Sequence, residues 1–414
     1  MDSFFNVKTP QEVVKIIETF GPSGQEPIVL EEALGRILSQ DIITDEDLPH
    51  FFRSVVDGYA VRAKDTFGAS EGMPALLDME GEVLMGQHPQ EKINKGRAIK
   101  ISTGGMLPEG ADGVVMVEHC FLLDERTLAV NRPISPLENV IQPGDDFKKG
   151  ELVLKKGHTL RPQDLGALAG LGISPVPVFN RPKVAIISTG DEIVSIDEYP
   201  MPGQIRDINR YTLAAFCLQK GAEPLHMGLC SDKFDVLKKL VEEGISRADT
   251  VWISGGSSVG TRDLTLKVFE TMEDFKLLVH GISISPGKPT IIGQIGAKPV
   301  IGLPGHVASA LVVAEVFLGP LITCLSGRLD LIDFHRPQME SILERNIESA
   351  NGREDYIRVK LIKQGDELIA QPIFGKSGLI STLVEADGLV RVDMNTEGLY
   401  KGQKVKVLLT GGIR

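Results

Sequence analysis

The chain has 414 residues, of which 42% are hydrophobic and 24% are charged. This composition is typical of a globular protein and excludes disorder as the main state, and the length predicts about two to four domains. The formal net charge of −12 shows no basic footprint for nucleic acid, so an anionic substrate would need a local basic or backbone-amide site. The cysteines form no Cys-x-x-Cys pair, which favours four buried thiols over a disulfide framework or a structural zinc site: Cys120, Cys217, Cys230 and Cys324.

The first predicted element is a helix near the N-terminus. Thr9 is the predicted N-cap, Pro10 the first helical residue, and Glu12 completes a capping box. No basic segment followed by an apolar core precedes this helix, so we expect no secretory signal. A second amphipathic stretch covers residues 30–38. From there to about residue 180, short strand patterns separated by glycine predict an irregular β-rich region.

Strands and helices alternate from about Arg181 to residue 328. This alternation predicts a doubly wound parallel α/β domain, in which ligands bind outside the carboxyl ends of the strands. The most apolar segment, Val307 to Leu325, is interrupted by Glu315 and Pro320. We therefore interpret it as a buried helix of this domain and not as a membrane span.

Four strand patterns follow Gly327 and predict a small terminal β-barrel. The predicted fold class is thus α/β with β-rich flanking domains. The predicted divisions are a β-rich N-terminal region of two interleaved subdomains over 1–180, the α/β domain over 181–328, and the C-terminal barrel over 329–414.

A glycine-rich segment, VWISGGSSVGTRD, follows one predicted strand of the α/β domain. Gly255, Gly256, Ser257 and Gly260 would let backbone amides wrap an anionic group at the start of a helix. Asp263 would lie in the first turn of that helix, where a carboxylate could hold a metal ion. The segment lacks the Gly-Lys-Ser/Thr of a Walker A loop. A plain strand-to-helix turn, in which Asp263 stabilises the helix start, remains open.

Two further turns combine proline and glycine. Pro286 and Pro289 fix a turn that presents Lys288, which is either a phosphate contact or a solvated turn lysine. The second turn, residues 302–305, makes a rigid corner between a strand and a helix and contains Pro304. A corner required only for tight packing is the simpler interpretation.

Acidic residues recur at predicted loop ends: Asp57, Asp146, Glu192 and Asp232. If they converge near the glycine-rich segment, they suit divalent metal binding or activation of water. Spacing in the sequence cannot show convergence, and each residue alone is ordinarily a solvated surface carboxylate. The eight histidines show no zinc-binding spacing, and His50 and His119 are interpreted as structural or solvated.

These motifs, taken in order, resemble the molybdopterin molybdotransferase family, known as MoeA in bacteria and as the E domain of gephyrin in animals. The resemblance covers nearly the whole chain. Its segments are LPHFFRSVVDGYAVRAKD, ISTGGMLPEGADGVVMVE, the GDD of PGDDFKKGE, STGDEI, GQIRDIN, GGSSVGTRD, PGKP, GLPGHVAS, GREDYIRV and GKSGLISTLVEADGL.

The resemblance implies a cytoplasmic homodimer of elongated subunits that acts in molybdenum cofactor biosynthesis. Members of the family hydrolyse adenylylated molybdopterin, insert molybdate into its dithiolene with magnesium assisting, and release AMP. The substrates are adenylylated molybdopterin and molybdate, and further partners are other cofactor-biosynthesis proteins or apo-molybdoenzymes. Neither nucleic acid nor a membrane is implied as a partner.

The resemblance also implies the site residues. One subunit would supply Asp57, Thr103 and Asp146, and its partner would supply Glu192, Asp232, Asp263 and Pro304. The implied catalytic residues are Asp57, Asp146, Glu192, Asp232 and Asp263, and the implied metal ligands are Asp263 and Glu192. The implied substrate-binding residues are Thr103, Gly190, Gly255, Gly256, Ser257, Gly260, Lys288, Pro304 and His306.

The sequence departs from the family pattern chiefly at basic positions. Ile141, Gly281 and Ser285 stand where basic residues are common, and GLPGNP reads GLPGHV here. The acidic set is complete while the basic set is thinned. We therefore carry two hypotheses: the transferase itself, and a non-catalytic homologue that binds or carries molybdopterin or its molybdenum cofactor. A receptor-clustering scaffold is a third, for which the sequence offers no linker or additional domain. Residues that could compensate are Arg206, Arg262, Lys288, His280 and His306.

Overall fold

The structure, a computed structural model, describes the backbone of residues 7–255, 259–328 and 338–411, and their side chains except those of 259–263. The chain forms two compact units. Unit 1 comprises Met1–Gln40, Lys156–Arg161 and Pro175–Arg414, and unit 2 comprises Asp41–Lys155 and Pro162–Ser174. The chain thus leaves unit 1 and returns to it twice. The domain divisions after residues 180 and 328 stay predictions.

The N-terminal helix α1, Pro10–Ile17, has the predicted capping box, because the Thr9 hydroxyl accepts from the Glu12 N–H and the Glu12 carboxylate accepts from the Thr9 N–H. The second amphipathic stretch forms only a short 3-10 turn, Leu30–Glu32. Gly35 lies at φ +72°, which ends any helix there, and the following residues bond to the segment around His158 instead. An amphipathic pattern of nine residues is therefore not enough for a helix here.

Unit 2 is built on a six-stranded sheet in the order β7-β4-β6-β5-β9-β8, with the short pairs β3–β10 and β2–β11 beside it. It also contains helix α2, Pro162–Gly170. The β-rich prediction for this region is confirmed. The strands before the α/β domain are β1 Gln25–Ile28, β2 Ile42–Ile43, β3 Arg53–Ser54, β4 Gly58–Val61, β5 Ala75–Val83, β6 Arg97–Ile101, β7 Gly113–Met116, β8 Cys120–Leu122, β9 Thr127–Val130, β10 Val140–Ile141, β11 Leu152–Leu154 and β12 Val176–Phe179. Strands β1 and β12 pair within unit 1.

The central part of unit 1 is the predicted α/β domain. Its sheet has the order β16-β13-β17-β21-β20-β18, in which the first four strands are parallel and the last two are antiparallel. The elements are β13 Lys183–Thr189, β14 Ile193–Val194, β15 Ile205–Arg206, α3 Asn209–Gln219, β16 Glu223–Cys230, α4 Phe234–Arg247, β17 Thr250–Gly255, α5 Val259–Glu270, β18 Phe275–His280, β19 Ile284–Ser285, β20 Ile291–Ile295 and β21 Lys298–Leu303.

Apolar side chains of this sheet enter two separate cores. Val184 and Ile186 of β13 pack with Leu213 of α3, whereas Ala185 and Ile187 pack with Leu237 of α4. Because successive residues of a strand point to opposite faces, each face needs its own covering helices. The doubly wound arrangement is thus confirmed.

The apolar segment Val307–Leu325 is the one helix in the described residues that is long and apolar enough to cross a membrane, and 83% of it is buried inside the fold. It consists of α6 Val307–Val313, a π-helical turn Ala314–Leu318, and α7 Gly319–Leu325. Pro320 lacks the N–H that would bond the preceding turn, and the wider turn lies immediately before it. The burial agrees with a core helix of the α/β domain.

The C-terminal part of unit 1 is a closed barrel, as predicted. Strands pair in the order β24-β25-β22-β28-β26, and β26 pairs back with β24. Strand β19 of the α/β domain adds to β24, with Ile284 opposite Glu354. The elements are β22 Gln338–Leu343, β23 Ile347–Glu348, β24 Glu354–Gln364, β25 Glu367–Pro372, α8 Ser381–Val384, β26 Gly388–Val392, β27 Gly398–Leu399 and β28 Lys404–Leu409.

Candidate functional site

The carboxyl ends of the four parallel strands define one edge of the α/β sheet. Strand β13 ends at Thr189, β16 at Cys230, β17 at Gly255 and β21 at Leu303. Parallel strands end at the same edge, so the loops that follow them are neighbours. The predicted residues Gly190, Glu192, Asp232 and Pro304 lie in these loops, and Gly255 is the last residue of its strand.

Asp232 is held in place by a buried hydroxyl. The Thr189 Oγ1 donates to Asp232 Oδ1 at 2.7 Å, and Thr189 is 0% exposed. The Asp232 N–H in turn donates to Asp191 Oδ1 at 3.1 Å. The loops after β13 and β16 are therefore bonded to each other through their acidic residues. Glu192 follows Asp191 in the same loop, so it is one residue from the carboxylate that accepts from the Asp232 N–H. A shared role of Glu192 and Asp232 stays a prediction.

Two of the predicted glycines leave no room for a side chain. A Cβ on Gly255 would lie 2.1 Å from Thr189 Cγ2 and 2.6 Å from Thr189 O, because β13 and β17 are in direct register there. A Cβ on Gly190 would lie 2.9 Å from Glu192 Oε2. Gly255 therefore fixes the spacing of β13 and β17, and Gly190 lets the chain pass close to the Glu192 carboxylate.

The rest of the glycine-rich segment is only partly described. Gly256 and Ser257 lie outside the described residues, and so do the side chains of Gly260 and Asp263. The backbone nevertheless corrects one expectation. Helix α5 begins at Val259, so Gly260 is helical and Asp263 lies beyond the first turn, where no acidic residue is found. The helix starts earlier than predicted because Gly260, interpreted from the sequence as part of the loop, is helical.

Two polar residues of the GQIRDIN segment belong to the same edge and were not predicted as site residues. Asn209 Nδ2 donates to Ser254 Oγ at 2.6 Å and to Gly305 O at 2.8 Å, so it connects the end of β17 with the corner that contains Pro304. Asp207 Oδ1 accepts from the Arg210 N–H at the start of α3. Their polar character at the start of a helix is the only sequence signal for them.

Asn209 and Asp207 each have one buried side-chain oxygen that can still accept a hydrogen bond. Asn209 and Asp207 are 8% and 6% exposed, and Asn209 Oδ1 and Asp207 Oδ2 have no hydrogen-bond partner among the described residues. Buried polar atoms normally have a partner, so these two acceptors are suited to N–H donors of a ligand or of the neighbouring glycine-rich segment.

A cavity of about 250 Å³ lies beside the two proline-glycine turns. Lys288, Pro304 and His306, all predicted from the sequence, line it together with Arg353 of the C-terminal barrel. His306 Nδ1 lies 2.9 Å from Ser377 Oγ, and Arg353 is paired with Asp355 at 3.0 Å. Three cationic or titratable nitrogen groups around one small cavity suit an oxyanion. Arg353 and Ser377 were missed as site residues, although they lie in motifs that carry the resemblance.

Unit 2 holds the other predicted residues on exposed loops. The Thr103 N–H donates to Asp57 Oδ1 at 2.8 Å and its hydroxyl donates to the same oxygen at 3.2 Å. Arg53 Nη2 lies 4.0 Å from Asp146 Oδ2. Asp57, Thr103 and Asp146 are therefore supported by strands of one unit, although they are far apart in the sequence.

All four cysteines are free, and Cys217, Cys230 and Cys324 are buried as expected, whereas Cys120 is half-buried. Burial raises the pKa of Cys217 to about 12 and that of Cys324 to about 11. Burial also raises the pKa of Cys230, which ends the strand beside Asp232. Since the thiolate is the reactive form, none of these three thiols is suited to be a nucleophile at neutral pH.

Models of three protein families match successive parts of the chain. The MoeA N-terminal region (domain I and II) matches residues 8–172, the probable molybdopterin binding domain matches 185–323, and the MoeA C-terminal region (domain IV) matches 340–410. No sequence departure noted above, including those at Ile141 and Ser285, prevents these matches.

Relatives match over nearly their whole length. A putative molybdopterin biosynthesis protein of Methanocaldococcus jannaschii is 36% identical over 387 residues, which is 91% of this chain and 90% of the relative. The molybdopterin molybdenumtransferase of Haemophilus influenzae is 33% identical over 388 residues, which is 93% of this chain and 94% of the relative. The crystal structure of a molybdopterin biosynthesis MoeA protein from Pyrococcus horikosii has a TM-score of 0.85 and 39% identity, covering 98% of this chain and 100% of that chain.

The fold and the strand-end loops define a protein of the molybdopterin-binding α/β class, flanked by a β-rich region and a barrel. Within that class, the chain belongs to the MoeA family. The family acts in molybdenum cofactor biosynthesis, and its curated members of about 30% identity are molybdopterin molybdenumtransferases. The chain is thus a member of an enzyme family, as the resemblance predicts.

Proposed function

We propose that this protein inserts molybdate into molybdopterin and hydrolyses the adenylylated form, releasing AMP. The observation that carries the proposal is the cavity lined by Lys288, His306 and Arg353 in the same unit as the acidic strand-end loops. Cationic groups bind the anionic molybdate and phosphate, while carboxylates activate water or hold a metal ion. Both kinds of group are needed for this reaction.

The acidic residues are proposed to act together in the hydrolysis. Asp57, Asp146, Glu192, Asp232 and Asp263 form the catalytic set, in which a carboxylate accepts a proton from the attacking water. Water adds to phosphorus, the phosphoanhydride P–O bond breaks, and AMP leaves. The dithiolene sulfurs then replace two molybdate oxygens, which leave as water after protonation.

Magnesium is the proposed metal cofactor, with Glu192 and Asp263 as its ligands. The described acidic residues beside this position offer only oxygen donors, which Mg²⁺ prefers. Among the side chains that the structure describes, no group of three or more His, Cys, Asp or Glu is arranged to hold a metal ion, and the Asp263 side chain lies outside them. Bound magnesium would neutralise charge developing on the phosphate oxygens.

The proposed substrate-binding residues divide between the two turns and the glycine-rich segment. Lys288, Pro304 and His306 would contact molybdate or a phosphate in the cavity. The remaining residues would bring backbone amides or a hydroxyl close to the substrate: Thr103, Gly190, Gly255, Gly256, Ser257 and Gly260.

The structure accounts for the absence of a basic residue at two positions, Gly281 and Ser285. Gly281 lies at φ +99°, a conformation that a lysine or arginine rarely adopts, so the backbone there requires glycine. Ser285 lines the cavity, which already contains Lys288 and Arg353. These cations would support substrate binding without the missing residues, so the departures at Gly281 and Ser285 do not argue against the transferase.

We propose a cytoplasmic homodimer in which one subunit contributes Asp57, Thr103 and Asp146 and its partner contributes Glu192, Asp232, Asp263 and Pro304. Apo-molybdoenzymes or other cofactor-biosynthesis proteins are the proposed recipients of the product. The second hypothesis, a non-catalytic protein that binds or carries the cofactor, keeps the cavity but needs no acidic set.

The first experiment measures AMP release from adenylylated molybdopterin with molybdate and magnesium present. We expect molybdate-dependent release by the wild-type protein and its loss in Asp57→Ala and Asp263→Ala, because each removes a proposed catalytic carboxylate. Asp366→Ala, an exposed aspartate at the turn between β24 and β25, is the matched control and should keep full activity. Full activity of both site variants would contradict the proposal, and tight binding without release would support the carrier.

A further inference from the structure

Unit 2 presents two exposed carboxylates, Asp57 and Asp146, and a cation lies between their loops. Such carboxylates repel an anionic substrate, and a nearby positive charge offsets that repulsion. We propose that Arg53 is a substrate-binding residue that contacts an oxyanion, either a phosphate of adenylylated molybdopterin or molybdate. This inference rests on the proposed function and adds a residue to it.

The backbone at Arg53 is fixed from both sides. On one side, the Ser54 N–H donates to Gly105 O at 3.0 Å and the Gly104 N–H donates to Ser54 O at 2.8 Å. On the other side, β3 pairs with β10, so that Arg53 lies opposite Ile141. Strand β3 therefore runs between the loop that contains Thr103 and the loop that leads to Asp146, and its residues are held at a defined place.

The Arg53 guanidinium is still available for a ligand. Its Nη2 lies 4.0 Å from Asp146 Oδ2, well beyond the 2.7–2.9 Å of a charge-assisted hydrogen bond. Its side chain is 37% exposed, and it makes no hydrogen bond to any residue that the structure describes. The planar group can therefore donate two parallel N–H bonds to an oxyanion while Asp146 keeps it oriented.

A simpler interpretation is that Arg53 and Asp146 form an ordinary surface ion pair. Such pairs contribute little to stability and nothing to substrate binding. The pairing of β3 with β10 offers a way to distinguish the two interpretations, because a second arginine can be placed opposite Arg53. Directly opposed residues of antiparallel strands have side chains on the same face, with Cβ atoms about 4.5–5.5 Å apart. An arginine at position 141 would reach the same space as Arg53, from the strand that leads to Asp146.

The experiment compares Arg53→Ala, the double variant Arg53→Ala/Ile141→Arg, and the control Arg126→Ala. Arg126 is an exposed arginine on the turn between β8 and β9 of the same unit, so its removal changes net charge equally. Thermal unfolding first confirms that each protein is folded. Two titrations then follow, of adenylylated molybdopterin by direct binding and of molybdate by the KM for AMP release.

Arg53→Ala should raise either the Kd for adenylylated molybdopterin or the KM for molybdate about tenfold, because a charge-assisted hydrogen bond is lost. The kcat of the variant should stay within about threefold of the wild-type value. The ligand whose constant rises is the one that Arg53 contacts. Added salt should weaken ligand binding to the wild-type protein more than binding to the variant. The double variant should recover binding to within about threefold of wild type, and Arg126→Ala should not change it.

Unchanged titrations in Arg53→Ala, or a folded double variant that recovers nothing, would overturn the role of Arg53. Wild-type turnover in that case leaves the proposed function intact. A wild-type protein that binds neither ligand would instead overturn the proposed function and this inference with it. A wild-type protein that binds adenylylated molybdopterin without turnover still tests Arg53 through the binding titration.

Discussion

The two units hold a carboxylate with a threonine in different ways. In unit 1, Asp232 accepts from the hydroxyl of Thr189, which is fully buried at the end of a central strand. In unit 2, Asp57 accepts mainly from the backbone N–H of Thr103, and both residues are exposed. The first carboxylate thus accepts from a hydroxyl in a closely packed place, and the second depends mainly on the path of the backbone.

This difference shows where each unit tolerates change. The strand ends of unit 1 are in contact, and a displaced atom there moves an acidic loop. In unit 2 the side chains of Asp57, Thr103 and Asp146 face solvent, so substitutions at these three residues should alter binding without disturbing the fold. Exposed substitutions seldom change stability by more than about 0.5 kcal/mol.

The largest expected effect is a loss of stability at Gly255, where strands β13 and β17 leave no room for an added Cβ. Gly255→Ala would place a Cβ 2.1 Å from Thr189 Cγ2, and the carbonyl of Thr189 is too close for the strands to adjust. We expect the free energy of unfolding to fall by about 3 kcal/mol or more, measured by urea denaturation.

Gly21→Ala is the matched control for Gly255→Ala. It lies in the same unit and has no atom within 4 Å of the added Cβ, so it should leave the unfolding midpoint nearly unchanged. Equal midpoints for the two variants would mean that the ends of β13 and β17 separate easily, and the contrast between the units would not hold.

A pair of threonine variants gives an intermediate effect. Thr189→Val removes a buried hydroxyl bond to a carboxylate, worth about 1.5–3 kcal/mol, and should lower kcat/KM for AMP release about 10- to 100-fold. Thr103→Val keeps the backbone N–H bond to Asp57 and should lower kcat/KM for AMP release about threefold or less. Equal losses in the two variants would show that both units depend on hydroxyl donors alike.

The smallest expected effect concerns His226 on β16, the edge strand of the α/β sheet. Its Nδ1 accepts from Arg210 Nε at 3.2 Å, and burial, together with the Arg210 charge, lowers the pKa of His226. The unfolded chain therefore binds this proton more readily than the folded protein. The contribution to stability is present above about pH 6.5 and is lost as the pH falls through the lower folded pKa.

His226→Gln tests this pH dependence. The variant should flatten the fall in melting temperature between about pH 7 and pH 5, because glutamine does not titrate there. An identical slope in wild type and variant would assign the acid sensitivity of unit 1 to its carboxylates.

Local patterns were sufficient where the chain makes local structure. The capping box of α1 and the alternation from Lys183 onward are confirmed because strand and helix periodicity reflects burial on both faces of the sheet. The stretch over 30–38 was misleading because its residues bond to a segment more than a hundred residues away. The start of α5 was placed too late because Gly260 was interpreted as a loop residue.

The sequence predicted candidate residues for the site, but it could not predict which of them contact each other. Asp57 and Thr103 are 46 residues apart, and no spacing rule brings them together. Asn209 and Arg353 were missed because their contacts depend on how loops from different parts of the chain meet. The resemblance supplied the acidic residues, and the structure adds the hydrogen bonds that orient several of them.

The pairing of the first helix has a consequence for synthesis on the ribosome. Gln11 on α1 donates to Glu354, which lies 343 residues later, and the Lys8 N–H donates to Gly281 O. At about 5–20 residues per second, the ribosome needs roughly 17–69 s to make that stretch. Residues 41–155 are complete long before then and contain the whole six-stranded sheet of unit 2. Helix α1 is therefore synthesised long before the residues that complete its native contacts.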